Sequence, residues 1–238
     1  FMAAKYISSL RRTLTLCCAL AVTGPDSTAV AQESTTGALL ETVIVTASRA
    51  PSAGQVLPTA WSALDQTTIE RIAPQHSSQV FNRIAGSWVS RGNGQESLIS
   101  LRSPVLTGAG SCGSFVTAQD GISMRSPGFC NVNQLFDANL LQAGKVEVLK
   151  GPATVVFGSN ALHGIINVLT RPVSETPNQL RFEAGSRDYY RASASGAVDS
   201  LALSAQTTRY GGYQEESGYQ QRKATVRLDQ DWKDWRVS

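Results

Sequence analysis

Four cysteines, two histidines and one glycine-rich run are the residues of this chain whose chemistry could support binding or catalysis. Gly108-Ala109-Gly110-Ser111-Cys112-Gly113 has the G-x-G-x-x-G spelling, which in a dinucleotide fold joins a strand to a helix N-terminus and admits a pyrophosphate. The surroundings are wrong for that: Pro104 stands before it and a strand-like run, Phe115 to Gln119, follows it. A flexible loop accounts for the glycines, and an exported nucleotide-using enzyme is the remote reading. No Gly-x-Ser-x-Gly elbow, Walker loop or His-Glu-x-x-His occurs, and His76 and His163 have no neighbouring acids to work with as general bases. Neither histidine is spaced with Cys112 or Cys130 as a metal set would be. No cofactor, metal site or catalytic residue is therefore expected. Cys112 and Cys130 could form a disulfide, a metal pair or free thiols, and the compartment decides which.

The N-terminus supplies the compartment. Lys5, Arg11 and Arg12 precede a short apolar core, Thr13 to Val22, and Ala29-Val30-Ala31 before Gln32 fits small-residue cleavage. Residues 1–31 thus read as a secretory signal, with too short an apolar run to span a bilayer as a helix, which takes about 20 residues. Cys17 and Cys18 would leave with it, and Leu16 makes them a poor lipid-attachment site. In an oxidising compartment Cys112 and Cys130 are expected to pair, a bridge worth about 3 kcal/mol in the loop-entropy account. The net charge of +3 on 238 residues falls close to zero once the signal is removed, and a nucleic-acid partner has no support.

Three regions follow. Residues 32–50 are polar at first, Gln32 to Leu40, and then carry Glu41-Thr42-Val43-Ile44-Val45-Thr46-Ala47, a β-prone string with nothing adjacent to pair with. Residues 51–172 read as a small α+β unit. In it Ser77 can cap a helix with Val80, Phe81 and Ile84 on its apolar stripe and Gly86 as its stop. Ser97 to Arg102 alternates as a strand, and Asp120-Gly121 between Phe115–Gln119 and Ile122–Met124 is a hairpin signal. Two β-branched runs, Lys145 to Lys150 and Gly164 to Thr170, bracket a Gly151-Pro152 turn, a short helical piece and Gly158-Ser159.

Residues 173–238 have another rhythm. Leu180, Phe182 and Ala184 alternate with Arg181 and Glu183, and Tyr190, Ala192, Ala194, Gly196 and Val198 with Arg191, Ser193 and Ser195. Leu201, Leu203 and Ala205 oppose Ser204 and Gln206, and Ala224, Val226 and Leu228 oppose Thr225, Arg227 and Asp229. A strand with lipid on one side and a wet lumen on the other gives this period of two, and so does a soluble antiparallel sheet. Tyr189, Tyr190, Trp232 and Trp235 near the strand ends tilt the choice toward a membrane-interface girdle.

The run from Lys145 to Thr170 resembles the end of the plug domain of TonB-dependent outer-membrane receptors: a strand closing on a basic residue, then Gly151-Pro152-Ala153, Phe157-Gly158-Ser159, and a Gly164-Ile165-Ile166-Asn167 strand. Lys150 stands where that family usually has Arg, and His163 where a second Gly is common. The resemblance extends to Asp120-Gly121 and to Leu101-Arg102-Ser103 in place of Ile-Arg-Gly, where Ser103 puts a positive backbone angle in doubt. It implies that Glu41–Ala47 is the TonB box, an extended segment that adds as a strand to the periplasmic domain of TonB. It also implies that Arg102, Glu147 and Lys150 lie against the inner barrel wall, although solvated strand ends would look the same. Cys112 and Cys130 would brace an apex loop whose Ser111, Gly113 and Arg125 touch ligand. The expected fold is an α+β plug, a small mixed sheet with short helices, followed by the first antiparallel strands of a transmembrane β-barrel that has room here for about four of its about 22 strands. The implied partners are TonB, outer-membrane lipid and a small iron chelate, and the implied function is active uptake of a scarce ligand, most naturally a ferric siderophore, at the outer membrane. Nine residues between signal and box leave no room for an N-terminal signalling domain. The chain would then be the N-terminal part of a longer receptor. The alternative is a soluble periplasmic plug-like binding module.

Overall fold

The computed structural model describes residues 44–45, 52–53, 59–92, 94–105, 113–125, 134–232 and 235–237. In chain order the elements are β1 (Ile44–Val45), β2 (Ser52–Ala53), β3 (Ala60–Asp65), α1 (Gln66–Ile72), α2 (Ser78–Phe81), β4 (Ser87–Arg91), β5 (Ser97–Leu101), β6 (Phe115–Gln119) and β7 (Ile122–Ser123). Then come α3 (Gln134–Asp137), β8 (Ala143–Lys150), α4 (Thr154–Phe157) and β9 (Gly164–Thr170). The last group is β10 (Gln179–Gly185), β11 (Tyr189–Val198), β12 (Leu201–Tyr210), β13 (Tyr219–Leu228), β14 (Gln230–Trp232) and β15 (Trp235–Val237).

The first large sheet has the order β3-β8-β9-β6-β7. Only β6 and β9 run parallel, and the other pairs are antiparallel. Both faces are covered. Val146 and Val148 of β8, Ile166 and Val168 of β9 and Phe115 of β6 pack with Ile69, Val80, Phe81, Ile84 and Leu135 on one side. Leu149, Ile165, Val116 and Ala118 pack with Ala153 and Ala161 on the other. Burial on two faces is why β9 reads as a nearly unbroken apolar run, whereas β8 is interrupted by Lys145, Glu147 and Lys150. β3 and α1 gave no sequence signal. Asp65 ends β3 and caps α1, its Oδ1 accepting from Thr68 N at 2.8 Å; the Thr68 hydroxyl and amide hold its carboxyl below the ordinary range.

Two local expectations are corrected, and the doubt raised by Ser103 is met. Ser77 makes no side-chain cap on α2. Its own backbone is already helical, so the cap comes from outside: His76 Nδ1 accepts Ser78 N at 3.1 Å, and Gln79 Oε1 accepts Gln75 N and His76 N. The positive backbone angle near Ser103 falls one residue earlier, on Arg102 (φ 48), whose N–H donates to Gly86 O. Finally, the β-prone string is not partnerless. Ile44 pairs with Ala53 and Val45 with Ser52 in a two-residue antiparallel ladder, because a second extended stretch lies close enough in sequence to fold back on it.

The second sheet, β10-β11-β12-β13, is an antiparallel meander and is open among the described residues. Its parity is as expected. Leu180, Phe182, Val198, Leu201, Leu203, Val226 and Leu228 are exposed on one face; Arg191, Ala202, Ser204 and Thr208 are buried on the other, against the first unit. Tyr189 departs from the girdle expectation. It is buried on the wet face, donating to Glu183 Oε2 at 3.1 Å and stacked edge-on with Tyr210 at 6.4 Å. Tyr190, its neighbour, points outward.

Candidate functional site

The signature residues that sequence reasoning grouped by resemblance are brought together in part. Asp120 (φ 51) and Gly121 (φ 79) form the hairpin between β6 and β7, a turn that needs two positive angles in succession. Asn167 on β9 accepts Gly121 N at 2.9 Å, and Asp120 accepts Thr170 N at 2.7 Å and Thr170 Oγ1 at 2.6 Å. The hairpin is therefore pinned to the last residues of the plug sheet, beside the exit into β10. Replacing Asp120 by Ala removes both bonds and puts a Cβ-bearing residue at positive φ without its side-chain partner. A loss of about 2 kcal/mol is expected in urea unfolding, with Asp120→Asn recovering about half.

At the other end of the sheet, Gly151 (φ 136), Gly158 (φ 83) and Gly164 (φ 140) supply the turns around α4. His163 is not at positive φ, and this is why a side chain is tolerated where the family often has Gly. Its carbonyl accepts Gly151 N at 2.9 Å.

The charged trio separates. Arg102 is exposed, so it is not at the wall formed by the described strands. Lys150 is buried inside the plug, its Nζ donating to Ser62 Oγ at 2.7 Å and Ala85 O at 3.0 Å. Burial first, then the Arg102 charge, hold its ammonium below the usual lysine range. The edge strand β3 and the turn after α2 recruit it inward. Glu147, fully buried, pairs with Lys145 at 2.9 Å and does face the wall, across a cleft of about 1440 Å³ lined also by Asn167, Thr225 and Arg227.

The contacts that join plug to wall were not foreseen individually. Arg191 of β11 donates to Pro74 O at 2.7 Å and Arg227 of β13 to Thr170 O at 2.9 Å, while Asp229 fastens the connection that leaves the plug, accepting Val173 N at 3.0 Å. Along β13, Gln221 donates to Phe136 O at 2.9 Å, Lys223 donates to Phe136 O and, at 2.7 Å, to Ala138 O, and Asn139 Nδ2 donates to Thr225 Oγ1 at 2.9 Å. Three alternate residues of one strand thus hold three plug residues, Phe136, Ala138 and Asn139. The usable signal was the run of cations on the polar parity of the strands. Their partners, main-chain carbonyls, leave no trace in residue identity. Within the plug, Arg171 is buried and pairs with Glu70 at 2.7 Å. His76 is buried and neutral, with Ser78 N and Oγ on Nδ1 and Glu96 O on Nε2 at 3.0 Å. Burial lowers its pKa, and Arg91 opposes its charge further.

Of the remaining candidates, Cys112, Cys130, Ser111 and all of the Glu41–Ala47 string except Ile44 and Val45 lie outside the described residues. Gly113 sits at positive φ with the Phe115 ring where a Cβ would go. It precedes β6 at the end toward which Arg125, beyond β7, also returns, since Met124 N donates to Thr117 O.

Comparison with known proteins matches residues 54–165 to the TonB-dependent Receptor Plug Domain family. The fold is similar to that of the pyoverdine outer membrane receptor FpvA from Pseudomonas aeruginosa PAO1 (17% identity, TM-score 0.54, covering 76% of this chain and 26% of that one). It is also similar to that of the alcaligin outer membrane receptor FauA from Bordetella pertussis (16% identity, TM-score 0.53, covering 78% and 32%). The chain thus spans less than a third of the length of either receptor. Residues 54–165 thus match the plug domain of TonB-dependent receptors, and the antiparallel strands that follow, bonded to it through their polar face, have the fold of the start of such a receptor's barrel.

Proposed function

We propose that this chain belongs to an outer-membrane receptor that binds a scarce ligand, a ferric siderophore, from outside and passes it inward when TonB pulls on Glu41–Ala47. The observation that carries the reading is the plug seated by side-chain to main-chain bonds on the wet face of a sheet whose opposite face exposes Leu180, Phe182, Leu203 and Val226. A soluble sheet would not leave that face uncovered. The ligand class is supported by the receptors of the same fold, one bound to pyoverdine and one named for alcaligin. In this reading residues 1–31 are cleaved on export, 32–50 carry the box, 51–172 are the plug and 173–238 open the barrel. The open edges of β10 and β13 pair with strands of a longer chain, since unpaired edges are not viable in lipid. Cys112 and Cys130 brace the loop that carries Ser111 and faces ligand with Gly113 and Arg125.

The test uses the receptor that carries this chain and a panel of radiolabelled ferric hydroxamate, catecholate and mixed chelates. One of them is expected to bind to cells with or without a protonophore and to accumulate at least tenfold less when the protonophore is present. Accumulation indifferent to the protonophore for every chelate would overturn the reading.

A further inference from the structure

The outward face of the second sheet is ordered in rows by its register. From the 211–218 connection downward, the rows are Ala184-Tyr190-Arg209-Gln220, Phe182-Ala192-Thr207-Arg222 and Leu180-Ala194-Ala205-Ala224. Gly196-Leu203-Val226 and Val198-Leu201-Leu228 complete them. The five rows cover about 26 Å along the strands, close to the ~25 Å apolar band of an outer-membrane wall. All the charge on this face is at one end: Arg209 and Arg222 are exposed, and neither guanidinium has a protein partner among the described residues. They are diagonal neighbours across β12 and β13, with Cβ atoms about 7 Å apart.

Two unpaired cations on a lipid-facing surface carry a cost that falls only near the headgroups, and a long side chain there reaches outward. The end they occupy is the outer one. β12 and β13 are joined there by residues 211–218, whereas at the opposite end only Asp199 and Ser200 join β11 to β12, and barrels keep their short turns on the periplasmic side. Directly below Arg222 the face is hollowed. Ala192, Ala194, Ala205 and Ala224 floor a groove of about 570 Å³ flanked by Leu180 and Phe182.

We propose that this groove and the Arg209–Arg222 pair form a binding site for a phosphorylated lipid of the outer leaflet, an acyl chain lying over the alanines and a headgroup phosphate held between the two guanidinium forks. Charge complementarity selects this occupant over a neutral lipid or a second copy of the chain, which would bring Arg209 and Arg222 against their own kind. Guanidinium is the group best matched to phosphate, offering paired N–H donors in one plane, and anionic headgroups gather at basic clusters beside the membrane surface. The site rests on the barrel reading above, since a soluble sheet would meet no leaflet.

The test is lipid retention by the receptor in neutral detergent, read by native mass spectrometry after incubation with diphosphorylated lipid A or its dephosphorylated form. Wild type is expected to keep one diphosphorylated molecule and none of the dephosphorylated. Arg209→Gln with Arg222→Gln should lower retention at least tenfold, while Arg209→Lys with Arg222→Lys keeps part of it. Equal retention by wild type and the glutamine pair would overturn the site, and displacement by inorganic phosphate alone would overturn a lipid occupant. A nitroxide at Leu203 separates the two levels: contact with water there sinks the barrel reading itself, whereas contact with lipid beside equal retention sinks only the site.

Discussion

Gly164→Ala is expected to abolish folding of the plug, whereas Gly158→Ala, a change in the same signature, should cost only the backbone strain of about 1–3 kcal/mol. Both glycines lie at positive φ, 140° and 83°. Around Gly158 an added Cβ meets nothing within 4 Å, so only the backbone conformation opposes it. At Gly164 the Cβ would overlap Leu149 O and stand 3.1 Å from Leu149 C and 3.4 Å from Lys150 Cα. These are main-chain atoms of β8, the strand that Gly164 pairs with at Lys150, and they sit between two buried layers that cannot give way. The φ of Gly164 is, moreover, one that L residues essentially do not adopt, costing about 1–3 kcal/mol alone. Clash and strain together exceed about 4 kcal/mol, a large part of the stability of a small domain. Urea unfolding and the amount of folded receptor recovered from membranes report both variants. Equal recovery of the two would contradict the packing at β8 and β9.

What the sequence made legible is what repeats or turns. Glycines at 151, 158 and 164, the Asp120-Gly121 pair and the two-residue rhythm from Leu180 to Leu228 each impose a backbone state visible in residue type, and all are found in place. β3 escaped notice because an edge strand with half-buried Ala, Ser and Leu has neither a clear alternation nor a β-branched run. The inward turn of Lys150 escaped because its acceptors are a serine 88 residues away and a main-chain carbonyl. Arg191, Lys223 and Arg227 could be placed on the wet face by parity, yet their partners are carbonyls of Pro74, Phe136, Ala138 and Thr170. Carbonyl acceptors are the same for every residue type. The Ile44–Val45 ladder with Ser52–Ala53 was missed for the same reason, since ladder pairing is a matter of main-chain bonds.

That ladder sharpens the central claim. A two-residue pair is marginal in water, so in the proposed function TonB takes the Glu41–Ala47 box as an added strand by outcompeting Ser52–Ala53, provided the box keeps its main-chain donors. Val45→Pro deletes one of those donors and fixes φ, which an added strand does not tolerate at a paired position. Ser52→Pro breaks only the internal ladder and leaves the box intact. The decisive measurement is uptake and surface binding of the same labelled ferric chelate by the full receptor carrying each change. Val45→Pro is expected to bind as wild type while losing uptake by at least tenfold, and Ser52→Pro to keep both. Uptake that survives Val45→Pro would contradict the account.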